Sequence, residues 1–520
     1  MVRWGLHLIA ATALAAPAGA LNLDSLLVQS VGGPAALDSL RTFHNYRAAG
    51  RVSLNGRPGE FTMFYAEPDL FYAEMRFGAI SMVQAFDGST AWMRDFNGQI
   101  SELGGFEEKE LLKQIYLQSF AYLIDGRVPG STAYVGSAAI DGRAYHEVLF
   151  LPLNDDTIRV YFDAQTAHPV FMHSKLDNIA TRSVNSDFRV VSGVLLAFCT
   201  QSEAVGAPIS TETQIDELVF NASFDHAVFY REGKSAVDFH FPADADSIAI
   251  PFEYEDGHVI VPVVLNGAAK SWFILDSGAS ANLIDQALAE HLKLTEVGTI
   301  AARGVAGFDE VDLVQSDSIS VGELVLYSQT AGRLDLSAVL RRNNDKPRGG
   351  ILGYDFLSRF PVLVDYESRR LIVYNPDTFR PAEGGVVIPF SLTSRVPTIE
   401  AAIDGVRGSF VVDVGNAFGL ILHGHFVAAG DIERRLIDES EPSGTLGGVG
   451  GTLSGRAALV PSLSFGSVHL DSVPVIIPDS HMGLSGSESL AGNIGNRILQ
   501  RFSVLFDYQA SRLIFYPNER

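Results

Sequence analysis

Phe273-Ile274-Leu275-Asp276-Ser277-Gly278 and Phe410-Val411-Val412-Asp413-Val414-Gly415 are two versions of one pattern, an apolar run closed by an Asp-x-Gly turn. The duplication extends well beyond these twelve residues. Ile351–Pro376 aligns with Asn493–Asn518 at a constant offset, with identity at Gly353, Leu357, Arg359, Phe360, Val362, Leu363, Asp365, Tyr366, Arg370, Leu371, Ile372 and Tyr374. Chance alone accounts for about one or two such matches. Other landmarks keep the same order. Ile250-Pro251-Phe252 returns as Ile388-Pro389-Phe390, and Gly304-Val305-Ala306-Gly307 returns loosely as Gly448-Val449-Gly450-Gly451. Ser318–Gly322 returns as Ser462–Gly466. Self-similarity at so long a period means duplicated domains rather than a solenoid. The expected lobes are residues 247–378 and 386–520, divided by the Pro- and Gly-containing stretch Asn375–Gly385.

Residues 21–240 read differently. An opening helical stretch, Leu23–Leu40, precedes strand-like runs at Tyr46–Leu54, Phe61–Tyr65, Leu70–Phe77, Met82–Phe86 and Thr90–Arg94. Asn55-Gly56 and Asp87-Gly88 are hairpin signals, because both turn positions favour residues that tolerate positive φ. Apolar residues at helical spacing predict an amphipathic helix over Glu107–Leu123. Strand-like runs resume at Ala144–Leu151, Thr157–Phe162, Pro169–His173, Phe188–Val191 and Ile215–Val219. The pattern predicts one large, curved antiparallel sheet with one or two helices on a face, and a linker at Pro242–Asp246.

Bulk numbers narrow the function. The chain of 520 residues carries 38 Lys+Arg against 61 Asp+Glu, a formal net charge of −23. Such a surface repels nucleic acid and anionic membranes. Arg3, the apolar run Leu6–Ala15 and Ala18-Gly19-Ala20 predict a cleaved signal peptide over residues 1–20, hence a periplasmic or secreted protein with no transmembrane segment in the mature chain. The single Cys199 excludes an intramolecular disulfide, and its apolar neighbours Val194–Cys199 predict a buried thiol rather than a nucleophile.

Paired carboxylates on related half-domains suit hydrolysis. Two aspartates one hydrogen bond apart cannot both ionise, so one can act as base on a water while the other supplies a proton. Neither a metal nor another cofactor is required. The other candidates read as structural. Asp365 and Asp507 each lie five residues before an Arg, which predicts a hairpin ion pair. His423, His425 and His481 lack carboxylate companions at metal-ligand spacing and are expected in loops or at the surface. No G-x-S-x-G, H-E-x-x-H or phosphate-loop motif is present.

These residues resemble the retropepsin-like aspartic peptidases in duplicated, single-chain form. Phe273–Asp285 looks like the family's strand, active turn and helix start; Gly350–Leu357 like its hydrophobic-hydrophobic-Gly segment; Leu363–Tyr374 like its closing hairpin. The resemblance implies a mainly β fold, with two β-barrel lobes forming a pseudo-dimer within a monomer. It further implies catalytic Asp276 and Asp413, turns shaped by Gly278 and Gly415, and Ser277 gripping the opposite lobe. A flap at Gly304, Val305, Ala306, Gly307 and Phe308, matched by Gly447–Thr452, would cover a peptide or protein substrate. The second lobe departs from the pattern: Val414 replaces the hydroxyl residue, and Asn493 stands where the first lobe has Ile351. Asn416 could either restore a hydrogen bond or only stabilise its turn. The departures leave room for a rival, a degenerate peptidase fold that binds peptides without cleaving them. They also leave room for pairing of the first lobe with its counterpart in another chain. Residues 21–240 resemble the periplasmic lipoprotein-carrier superfamily through the Tyr46–Leu54 strand, Glu67–Met75 and Gln84–Asp95. That implies a half-barrel with a possible lipid or acyl-chain site, or a docking scaffold alone.

Overall fold

Both hairpin signals of the first half reverse the chain. Asn55 and Gly56 take φ of 49° and 81° and bring Leu54 opposite Arg57, while Gly88 takes φ of 90° with Asp87 Oδ1 accepting the Ser89 and Thr90 amides at 2.9 and 2.7 Å. The computed structural model describes residues 21–152, 157–231, 237–304, 307–337, 348–439, 445–448, 451–479 and 483–518. The expected signal segment, residues 1–20, lies outside them, as does His481.

Thirteen strands form one sheet by simple succession. From the edge strand Ile100–Glu102 the order runs through Ala91–Arg94, Ile80–Phe86, Leu70–Phe77 and Arg57–Ala66 to Asn45–Leu54. Asn45–Leu54 pairs with Ser210–Phe220, and the sheet continues through Val194–Ala204, Ile179–Val191, Pro169–Leu176, Ile158–Asp163 and Arg143–Pro152 to Gly130–Ile140. The single sheet is the one the turn spacing predicts, and several strands run longer than their apolar cores. Gly130–Ile140 escaped sequence reading because most of its side chains are exposed. The opening helical stretch is two helices, Leu23–Ser30 and Pro34–Leu40, since Gly32 and Gly33 at φ of 109° and 95° leave helical geometry and Pro34 restarts it. The amphipathic helix spans Gly105–Gln118 and stops short of Leu123, with Phe120 left-handed at φ 55°. Val31, Ala36 and Leu40 bury against Val194, joining the first two helices to the sheet.

Two of the structural readings need correction. Cys199 is half-buried rather than buried, because its strand lies between Ile179–Val191 and Ser210–Phe220 with alternate residues facing outward. His423 lies in the loop before Gly424–Ala429, buried with its Nδ1 3.0 Å from the Leu490 carbonyl, and His425 is exposed, both as expected. The ion-pair reading holds for one hairpin. Arg512 Nε donates to Asp507 Oδ2 at 2.8 Å, while Asp365 instead accepts the Glu367 and Ser368 amides of its own turn.

The described residues fall into two compact units. Those up to 77, with 83–91 and 109–232, form one. Residues 78–82, 92–108 and those from 233 onward form the other. Two short stretches ahead of residue 240 therefore belong with the duplicated half. Within the first unit, Leu40, Phe43, Tyr46 and Phe220 line a cavity of ≈10 Å³ with Asn45 and Arg127 as its polar groups. This small cavity has room for about one water.

The second unit repeats one topology. Ala269–Leu275 runs parallel to Arg348–Leu352, and Val406–Val412 runs parallel to Gly492–Ile494. Leu283–Asp285 is parallel to Leu324–Leu334 and antiparallel to Arg348–Leu352; Leu420–Leu422 makes the same two pairings with Val468–Pro478 and Gly492–Ile494. Between the lobes lies a six-stranded sheet in the order Ser247–Pro251, Arg370–Tyr374, Val362–Asp365, Phe502–Asp507, Arg512–Pro517, Val386–Pro389. Its central register is Val362 to Phe506, Leu363 to Leu505 and Val364 to Val504. Leu363 and Leu505 are repeat equivalents, so the pairing is symmetric about them, as an isologous contact requires. One continuous apolar core runs through both lobes, including Phe273, Val364 and Phe356 from the first and Phe410, Val504 and Phe515 from the second. Each such buried side chain contributes about 1.5–3 kcal/mol.

Candidate active site

Each Asp-x-Gly turn closes a strand whose amide ladder continues through the aspartate. Asp276 N donates to Leu352 O and Asp413 N to Ile494 O, both at 2.9 Å. The side chains then fold back onto their own turns. Asp276 Oδ1 accepts the Gly278 amide at 2.8 Å, and Asp413 Oδ1 accepts those of Gly415 and Asn416 at 2.8 and 3.0 Å. The two turns meet tip to tip. A Cβ on Gly278 would lie 2.7 Å from Asp413 Cγ, and one on Gly415 would lie 2.2 Å from Asp276 Cγ. Glycine is required at both positions by this approach, not by backbone conformation. The two carboxyl groups thus lie within one chain, each against the glycine of the other turn.

Burial raises both aspartates above the ordinary carboxylate range. The Asp413 charge adds to the effect on Asp276, which is held well above that range. At Asp413 the rise is opposed by hydrogen bonds from Asn493 and from Asp276. Both shifts act in the same direction, toward retention of a proton at a pH where a free carboxyl has lost it.

Ser277 is fully buried and makes the grip across the lobes. Its Oγ donates to Val412 O at 2.7 Å and accepts the Val414 amide at 2.9 Å. Val414 has no hydroxyl to return the contact, and the reciprocal tie comes from another residue. Asn496 Nδ2 donates to Val414 O at 2.5 Å and to Gly257 O at 2.7 Å, and Tyr366 Oη donates to Asn496 Oδ1 at 2.6 Å. Tyr366 and Gly257 belong to the first lobe, so Asn496 is a second clamp between lobes. Its repeat equivalent, Tyr354, cannot make these bonds and instead meets Tyr508 ring edge to face at 5.7 Å. Asn416 stabilises its turn: Oδ1 accepts the Phe418 amide at 2.9 Å and the carbonyl accepts the Asn496 amide at 2.8 Å.

The flap positions form the end of a hairpin between Thr295–Arg303 and Phe308–Val321, with Arg303 opposite Phe308 and Gly304 N donating to Gly307 O at 2.8 Å. Val305 and Ala306 lie outside the described residues. Gly304 O accepts the Leu484 amide at 3.0 Å, and Arg303 Nη2 donates to Gly483 O at 3.0 Å, so the second lobe holds this hairpin near its tip. In the second lobe Gly448 pairs with Gly451 at the corresponding tip.

Two buried carboxyl groups on interlocked turns form an arrangement in which one group can accept a proton while the other donates one. Residues 261–356 match the family described as aspartyl protease. The chain thus resembles the aspartyl proteases over its first lobe, including the Asp276 turn and the Gly353 segment. No curated relative matches the chain. Among solved structures, an aspartic proteinase from Irpex lacteus is 12% identical over 52% of this chain and 98% of its own, with a TM-score of 0.35. A DUF1329 family protein from Desulfovibrio piger is 11% identical over 40% of this chain and 95% of its own, TM-score 0.29. A putative outer membrane lipoprotein-sorting protein domain from Vibrio parahaemolyticus is 9% identical over 37% and 95%, TM-score 0.28.

Sequence reasoning missed Asn493, Asn496 and Tyr366 as members of the site. The first carried a signal, since Asn493 interrupts an apolar run where its repeat equivalent is Ile351. Asn496 and Tyr366 gave none, because their side-chain hydrogen bonds join segments 82 or more residues apart.

Proposed function

We propose that this protein is an aspartic endopeptidase, periplasmic or secreted after loss of residues 1–20, that hydrolyses peptide bonds through Asp276 and Asp413. The observation that carries the reading is the interlocked pair of turns, each glycine seated against the other turn's carboxyl. A water between the carboxyl groups gives a proton to Asp413 and attacks the scissile carbonyl carbon. The carbonyl oxygen takes the proton of Asp276. When the tetrahedral species collapses, the C–N bond breaks, the amine nitrogen takes the proton from Asp413, and a hydroxyl proton returns to Asp276. The flap hairpin would cover an extended peptide, excluding water from the developing charge.

The first unit would recruit substrate or bind a lipid or acyl chain. The rival reading, a peptide-binding protein without activity, takes its support from Val414. The Val414 amide is nonetheless held by Ser277 of the first lobe, and Asn496, which holds the Val414 carbonyl, itself reaches Gly257 and Tyr366 of the first lobe, so a second tie between the lobes is present.

Hydrolysis of a random peptide library from acidic to neutral pH tests the proposal, using the mature protein and its Asp276→Asn and Asp413→Asn variants. Cleavage lost in both folded variants supports it. Bound but uncleaved peptides at every pH would favour the rival. Activity that rises with the square of protein concentration would place the pairing between chains.

A further inference from the structure

Asn493 occupies a position at which the two lobes differ in chemistry. In the first lobe Ile351 lies beside Ile274 in parallel register and packs with Ile274 and Leu336 in a small apolar cluster. In the second lobe Asn493 lies beside Val411 in the same register, yet its Nδ2 is 3.0 Å from Asp413 Oδ2. Asp413 Oδ1 is already occupied by the Gly415 and Asn416 amides. Asn493 is nine-tenths buried, as is Asp413, so this bond forms away from bulk water where a charge-assisted contact is strong. Ile351, at the equivalent position of the first lobe, has no donor to offer Asp276, and among the described residues no first-lobe side chain donates to it.

We propose that Asn493 is a positioning residue that decides which aspartate carries the shared proton. By donating to Asp413 Oδ2 it keeps Asp413 as the carboxylate and leaves the proton on Asp276, giving a pseudo-symmetric pair a fixed base and a fixed acid. The direction of the Asp413 response to burial, opposed by Asn493, agrees with this. The inference rests on the dyad reading above, and only the sign of the effect distinguishes it from a packing role. An amide turned the other way, with Oδ1 facing Asp413, would favour a protonated Asp413.

The test is Asn493→Leu in the full mature chain, with Asn493→Ser as a smaller replacement should Leu prevent folding. Two quantities are read against pH: kcat/KM on a cleavable peptide, and the ¹³Cγ resonance of Asp413 in ¹³C-aspartate-labelled protein, assigned by its absence in Asp413→Asn. Loss of the donor should move both the acidic limb of kcat/KM and the Asp413 titration upward by about one pH unit, with folding retained. An unchanged midpoint, or one that moves downward, overturns the inference. If the unaltered protein cleaves nothing while its Asp413 resonance still moves upward in the variant, the peptidase reading fails and the role of Asn493 stands.

Discussion

Gly415 illustrates how little room the site allows a single residue. A methyl at this position would sit 2.2 Å from Asp276 Cγ, closer than any real contact, so Gly415→Ala should displace the carboxyl and reduce kcat by at least about a hundredfold. Circular dichroism should show the fold retained. Ser277→Ala is expected to act on stability as well. It removes two hydrogen bonds and leaves the buried Val414 amide without its acceptor, a loss of about 1–3 kcal/mol measurable by urea unfolding of the second unit. The elevated proton affinities of both aspartates set the pH dependence. The competent form has one proton on the pair, and burial raises both groups above the ordinary value of 3.8. Activity should therefore begin to fail on the acidic side at a pH above 3.8, as a kcat/KM profile would show. The carboxylates themselves were plain in the sequence, because Asp-x-Gly after an apolar run is a local pattern. Their inequality was not, since it depends on which side chain of a neighbouring strand reaches the carboxyl.

At the level of elements, the Asp-x-Gly strands and the final hairpins were legible from period and repeat. The strand Leu363–Tyr374 region and its copy carry most of the identities, and they became the central four strands of the sheet between lobes. The ties among elements were hidden. Asn496 joins the Val414 carbonyl, the Gly257 carbonyl and the Tyr366 hydroxyl. Asn496→Leu should cost about 2–4 kcal/mol, because it strands buried polar groups on both lobes, whereas Tyr366→Phe should cost about 1 kcal/mol. Equal losses from the two substitutions, in chemical unfolding of the mature protein, would show that the asparagine acts only as a partner to the tyrosine.

Across the whole second unit, buried charge links stretches far apart in the chain. Asp355 accepts the Asn282 amide at 2.6 Å and Asn97 Nδ2 at 3.2 Å, and Asn97 also exchanges two hydrogen bonds with Thr330. Arg395 pairs with buried Asp95 and donates to Ser280 O, next to the Asp276 turn. Burial, reinforced by the Asp95 charge, pushes the Asp355 carboxyl up to about 6. A folded-state value raised above the unfolded one means that folding takes up a proton. The contribution of Asp355 to stability is thus greatest below about pH 4 and is lost as pH rises to about 6. Asp355→Asn should flatten the dependence of Tm on pH across that window, and an unchanged slope would remove Asp355 as its source. The mainly β class, the duplication and the two carboxylates could be read from the residues alone, because hydrophobic period, turn dipeptides and internal identity are local properties of the chain. Tertiary structure alone decided that residues 92–108 join the duplicated half, that Asn493 rather than Ile351 faces a carboxyl, and that Asn496 replaces a missing hydroxyl. Those outcomes depend on hydrogen bonds between atoms that only folding brings within 3 Å, and no local pattern encodes such a distance.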